Sequence, residues 1–136
     1  MSQENIEVVL NAVDAANRRD PDAFVACLHP EVEWEESGDV FPGLRGIHRG
    51  WAGVRKWFQE AVLELWENLH VEVEEITDAR DGCVFLELVL TTRGRASGVE
   101  TQLRYWQVLW LAGGKITRRQ VFRTRDEALE AAGLSE

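Results

Sequence analysis

Residues 17–36 read NRRDPDAFVACLHPEVEWEE. Asp20-Pro21 is a helix start: a side-chain cap, then a proline at the first helical position, where its missing N–H is no loss. Phe24, Cys27 and Leu28 then face inward. His29-Pro30 is expected to stop the helix, because the residue before a proline avoids the α region. From Glu31 to Ser37 the period changes to two. Val32, Trp34 and Glu36 take one face, and Glu31, Glu33 and Glu35 take the other. The chain thus passes quickly from a helix to a half-buried strand, and that strand carries a carboxylate, Glu36, on its apolar face.

Upstream, Ile6, Val9, Leu10, Val13 and Ala16 share one face of a helix over 3–18. Downstream, the loop GDVFPGLRGIHRG (38–50), which holds Pro42, leads into a long helix expected from Trp51 to Trp66. Its stripe is Val54, Trp57, Phe58, Ala61, Val62, Leu65 and Trp66, at steps of three and four. The second half reads as strands. Val71 and Val73 alternate with Glu72 and Glu74, and Asp81-Gly82 makes a hairpin turn. Cys83 to Thr92 and Val99 to Leu111 follow, then a turn at Gly113-Gly114 into Lys115 to Arg123. Thr124 and Glu127 form a capping box for a closing helix that ends at Gly133. The order is α-α-β-α-β-β-β-β-α, which reads as one α+β domain over 1–136 with helices against a mixed, curved sheet.

With 136 residues and 45% hydrophobic content, the chain can bury one core. Its formal charge of -9 disfavours nucleic acid and anionic membranes as partners. No apolar run approaches the ~20 residues of a membrane helix. The start, MSQENIEVVLNA, has neither a basic region nor a cleavable apolar stretch, so a cytoplasmic location is expected. Cys27 and Cys83 stand far apart and outside any CxxC, which fits a reducing compartment. His29, His48 and His70 are scattered without an HxH or HExxH pattern, so no metal is expected. A Walker loop, a dinucleotide fingerprint and a Ser-His-Asp arrangement are all missing, so no cofactor is expected either.

Four stretches carry a family likeness: residues 17–36, GIHRGWAGVRKWF (46–58), GGKITR (113–118) and RDEALEAAGL (125–134). They resemble the SnoaL-like (polyketide cyclase-like) branch of the nuclear-transport-factor-2-like, or ketosteroid isomerase-like, superfamily. The likeness spans nearly the whole chain. It implies a cone: a strongly curved mixed β-sheet wrapped around a long helix, with an apolar pocket at the open end. The fold hosts isomerases, dehydratases, cyclases, epoxide hydrolases and non-catalytic modules, so it says more about architecture than about a reaction.

The same resemblance places Glu36 where the ketosteroid isomerases carry their general base. Ala12 stands in place of their oxyanion-hole tyrosine, Gln107 in place of their protonated aspartate, and Phe58 in place of a supporting tyrosine. An enolate would lose donors worth about 3–4 kcal/mol of barrier each, which argues against ketosteroid-type isomerisation. An apolar pocket would raise the pKa of Glu36 and suit it to proton transfer, while pairing with Arg119 would lower it. Arg119 could instead hold a ligand anion.

Alternation places Leu103, Tyr105, Gln107 and Leu109 on the inner face of one strand. It places Arg119, Val121 and Arg123 on the inner face of the next, unless the register slips by one and the arginines are solvated. Glu36, Gln107 and Arg119 are the catalytic candidates. Trp34, Trp51, Phe58, Tyr105, Leu109, Val121 and Arg123 are the candidates for contact with the substrate. Trp57 and Trp66, which follow the helical stripe, are read as core. Trp106, Val108 and Trp110 lie on the opposite face and are expected to form a homodimer interface, unless the closing helix covers them.

The expected function is binding of a small apolar or carbonyl-containing molecule in the cone, with or without cofactor-free acid/base catalysis of the cyclase, isomerase, dehydratase or hydrolase kind. The alternative is a non-catalytic ligand carrier or dimeric interaction module.

Overall fold

The computed structural model describes residues 2–38, 40–41 and 46–134; of Ser2 it describes the backbone. Pro42, in the loop noted above, lies outside the described residues. Helix α1 (Ser2–Asn17) is followed by α2 (Pro21–Val25), β1 (Leu28–Glu36), β2 (Gly46–Arg49) and α3 (Gly50–Trp57). A π-helical segment (Phe58–Glu64) continues α3. Then come β3 (Trp66–Asp78), β4 (Cys83–Gly94), β5 (Glu100–Ala112), β6 (Lys115–Phe122) and α4 (Arg125–Ala132). The six strands form one curved, unclosed sheet in the order β2-β1-β6-β5-β4-β3. The β1–β6 pairing is parallel and the others are antiparallel.

Local chemistry explains most boundaries. The Asp20 carboxylate accepts the Ala23 N–H at 3.1 Å and starts α2 with Pro21 behind it. Asp81 (φ 62°) and Gly82 (φ 71°) give two successive left-handed residues, the combination a tight β3–β4 hairpin needs. A Cβ at Gly82 would stand 2.6 Å from the Leu111 carbonyl oxygen, so glycine is required there by contact as well as by φ. Thr124 caps α4 by accepting the Glu127 N–H at 3.3 Å.

Helices α1 and α3 cover one face of the sheet, and α4 packs on β4, β5 and β6 from the other side. The Asn17 side chain ties the end of α1 to the edge strand β3. It donates to the Val71 carbonyl at 2.9 Å and accepts the Val71 N–H at 2.8 Å. The main core lies between α1, α3 and the inner sheet face, with Val9, Leu28, Val32, Val54, Leu86 and Leu88 fully enclosed.

Several boundaries differ from the sequence reading. The expected helix over 51–66 ends as an α-helix at Trp57 and widens into the π segment, closed by Leu65 N–H to Glu60 O at 3.0 Å. The wider turn leaves Leu65 44% exposed and hands Trp66 to β3. Arg19 and Arg95 donate to the Leu63 carbonyl at 2.8 and 2.7 Å, and Arg95 also reaches Glu64 O at 2.7 Å. These contacts satisfy carbonyls that a helix end leaves open. Strand β1 starts at Leu28, so Pro30 sits inside it, where the β1–β6 register shifts and no ladder N–H is demanded. The loop after β1 contains the short strand β2. In α1, Leu10 is 39% exposed, while Ala12 and Ala15 carry the buried stripe with Val9.

Candidate functional site

Alternation along three neighbouring strands builds the site. In β1 it points Val32, Trp34 and Glu36 inward. In β5 it points Tyr105, Gln107 and Leu109 inward, and the antiparallel register sets Leu109 opposite Arg119 and Gln107 opposite Val121 on β6. The parallel pairing sets Trp34 beside Arg119. Glu36, Gln107 and Arg119 therefore converge at one place on the concave face.

Arg119 is the hub. Its Nη1 donates to Glu36 Oε1 at 2.8 Å and to the Glu35 carbonyl at 3.0 Å, and its Nε donates to Gln107 Oε1 at 2.9 Å. The guanidinium lies over the Trp34 ring at 4.6 Å and near the Trp57 ring at 5.8 Å, in reach of cation–π attraction. The second oxygen of Glu36 accepts the Trp57 indole N–H at 2.7 Å. Both carboxylate oxygens are thus engaged by donors, and the ion pair is buried. Burial pushes the Tyr105 phenol up to about 12; the Arg119 charge and its hydrogen bond oppose that rise, and the Glu36 charge adds to it.

This cluster forms one end of a cavity of about 400 Å³ whose lining is mostly apolar. Val9, Ala12 and Ala16 of α1 form one wall, Leu88, Leu90 and Leu103 of the sheet another, and Leu65, Trp66 and Thr101 its more exposed end. Glu36, Thr92, Gln107 and Arg119 are the buried polar side chains among the described residues, and all four line this cavity.

Of the substrate-contact candidates, Trp34, Tyr105 and Leu109 line the cavity. Four do not. Trp51 is 45% exposed at the start of α3 and donates its indole N–H to the Leu28 carbonyl at 3.0 Å. Phe58 is fully buried in an aromatic cluster with Phe24, at 5.0 Å between ring centres, and away from the cavity wall. Val121 packs into the core instead of the cavity. Arg123 lies beyond the end of β6, exposed beside a shallow cleft along α4, so the inward alternation stops before it. Trp57 and Trp66, read as core, both line the cavity. The only signal for Trp57 was its ring with a polar N–H tip, which usually finds a partner when buried; the helical stripe alone hid it.

Trp106, Val108 and Trp110 lie on the outer face as expected, but α4 covers part of it: Val108 is fully buried beneath the helix, and the two tryptophans are half-buried. His48 is half-buried in β2 and off the cavity wall. Among the described residues no cluster of three or more His, Cys, Asp or Glu could hold a metal ion. No described helix is long and apolar enough to cross a membrane.

A curved sheet folded over α1, with a polar cluster at one end of an apolar hollow, defines a cone-type α+β protein of the nuclear-transport-factor-2-like class. The SnoaL-like domain model matches residues 9–119, and the chain belongs to that family. No curated protein matches it. Among solved structures it is similar to TerC, co-crystallised with polyporic acid, with TM-score 0.77 and 23% identity over 97% of this chain and 99% of that one. It is also similar to Bal32a from a soil-derived mobile gene cassette, with TM-score 0.79 and 16% identity over 96% and 97% of the two chains. A third is the epoxide hydrolase/cyclase-like SalBIII of pyran ring formation in salinomycin, with TM-score 0.75 and 21% identity over 90% and 92%.

Proposed function

We propose that the protein binds a small, largely apolar molecule in the cone and moves a proton on it without a cofactor, as a cyclase, isomerase, dehydratase or hydrolase does. Glu36 is the proton carrier, Gln107 the orienting group and Arg119 the anion partner. One observation carries the reading: all the buried polar side chains among the described residues gather on the wall of a single apolar hollow. A core that served stability alone would gain from apolar residues at those positions. When the Glu36 carboxylate takes a proton from the bound molecule, the negative charge passes to that molecule, and Arg119 stands beside the group that gave it up. The net charge of the buried cluster stays the same, so no new charge has to be solvated in a dry site. That SalBIII is described as epoxide hydrolase/cyclase-like agrees with this chemistry on the same fold.

The rival reading, a non-catalytic carrier, is favoured by the engagement of both Glu36 oxygens at 2.8 and 2.7 Å. Two variants separate the readings. Ala16→Phe, which fills the hollow, should abolish uptake of an apolar fluorescent probe without lowering Tm. Glu36→Gln should retain uptake and abolish turnover. A wild-type chain that takes up no apolar probe removes the binding proposal; turnover that survives Glu36→Gln removes the proton-carrier role. We also propose that the outer sheet face pairs two copies of the chain through Trp106 and Trp110, flanking the part that α4 covers.

A further inference from the structure

The end of the hollow away from Glu36 and Arg119 is built on one cross-strand pair. On β4 the inward side chains are Leu86, Leu88, Leu90 and Thr92. The antiparallel register sets Leu88 opposite Tyr105, Leu90 opposite Leu103, and Thr92 opposite Thr101 on β5. The last of these rungs is polar on both strands. Thr92 lines the hollow beside Leu69 of β3 and is only 4% exposed. Valine has the same shape, suits a strand as well, and would bring no hydroxyl to satisfy. The neighbouring Thr91 faces the other way and accepts from the Gln102 amide at 3.4 Å. The Thr92 hydroxyl has no such partner among the described residues. Nor is it sealed inside the wall, as Trp34 Nε1 is, so the bond it lacks has to come from the hollow.

We infer that Thr92 is a specificity-determining residue: its side chain holds a hydroxyl group, alcoholic or phenolic, at the outer end of an elongated and otherwise apolar ligand. Two hydroxyls can each donate and accept, so they match whichever way the protons turn. Charge matches too. The charged side chains of the lining, Glu36 and Arg119, stand at the other end, and Leu65, Leu69, Leu90 and Leu103 surround this one, so an uncharged polar group is the kind it accepts. The register sets the length. Thr92 lies four residues beyond Leu88, the partner of Tyr105, which is about 13 Å along an extended strand. Apolar surface between the two ends would lie across the Leu90–Leu103 rung. This rests on the ligand-binding reading above and adds the group that the ligand carries far from the Glu36 cluster.

Two rigid rods of similar size test it: trans-4,4′-dihydroxystilbene and trans-4,4′-dimethylstilbene, titrated through their own fluorescence and by calorimetry at neutral pH. Thr92→Val should weaken binding of the diol about fivefold and leave that of the dimethyl rod unchanged. Thr92→Ser, which keeps a hydroxyl, should retain most of the diol's affinity. Thr92→Val should keep or raise Tm, because it removes a buried hydroxyl that the protein leaves unpaired. A lowered Tm in Thr92→Val would show that the protein itself satisfies the hydroxyl, and overturns the inference. So does a diol affinity that Thr92→Val leaves unchanged, an equal loss for both rods, or a wild type that takes up the dimethyl rod and not the diol. In all these cases binding of either rod to the wild type leaves the binding proposal standing. Failure of both rods to bind overturns both.

Discussion

Arg119 Nη1 stands 2.8 Å from Glu36 Oε1, with 4% and 1% of the two side chains accessible to solvent. A pair this deep makes the two residues interdependent, because removing one leaves the other charged and stranded. Arg119→Met alone should therefore destabilise the chain by about 3–5 kcal/mol. The double variant Glu36→Leu with Arg119→Met should recover most of that loss, since replacing a whole buried pair by apolar groups is often neutral. Urea unfolding of both singles and the double gives the coupling. Additive losses would mean that the two residues do not act as a pair.

Trp57 reaches the same carboxylate from α3 through a 2.7 Å hydrogen bond. Trp57→Phe keeps the ring in contact with Phe24 and Trp34 and deletes one donor. A hydrogen bond to a charged group contributes about 1.5–3 kcal/mol, so a loss of that size is expected in chemical denaturation. An unchanged midpoint would show that a water replaces the indole without cost.

How far the sequence disclosed this site depends on which periodicity each residue obeys. Glu36, Gln107 and Arg119 were legible because strict alternation along β1, β5 and β6 assigns a face to each, and three strands of one sheet bring their inner faces together. Arg123 was misassigned because alternation was carried one residue past Phe122, where β6 ends. Trp57 and Phe58 are adjacent on one helical stripe, and the stripe does not say which tip meets the carboxylate and which fills the core. The π segment was hidden because a few residues match the 3.6 and 4.4 periods about equally well. The hollow was expected from the family resemblance alone and not from the residues: apolar faces require contact, but their sequence does not state how much volume is left between them.

The two cysteines should behave as inert thiols. Burial raises the Cys83 pKa to about 11, with the Asp78 and Asp81 charges adding to it. Burial also raises that of Cys27, partly offset by the Lys115 charge. The thiolate is the reactive form, so iodoacetamide at neutral pH should modify both within minutes in urea and neither on that timescale in native buffer. Fast native labelling of either would contradict the assigned environments.

If the outer face pairs two copies, its centre of gravity lies on the half-buried Trp106 and Trp110, since Val108 is spent on α4. Trp106→Glu with Trp110→Glu should then sediment as monomer at concentrations where the wild type is a dimer. A dimer untouched by both charges, or a monomeric wild type, rules this face out.

Tyr105 is the chain's single tyrosine, so tyrosinate absorbance reports on the cavity alone. Burial pushes its phenol up to about 12, against roughly 10 in an unfolded chain. The native alkaline midpoint should lie near 12 and shift to about 10 in urea. Between these values the unfolded chain has released the proton that the folded chain retains. Stability from this group is therefore intact below about pH 10 and falls by roughly 1.4 kcal/mol per pH unit above it, until the folded phenol ionises. Other groups also titrate in that range, and Tyr105→Phe separates them, because subtracting its pH–stability curve from that of the wild type should leave this slope. A native midpoint near 10 would place the hydroxyl in water, outside the buried cluster at the cavity's end.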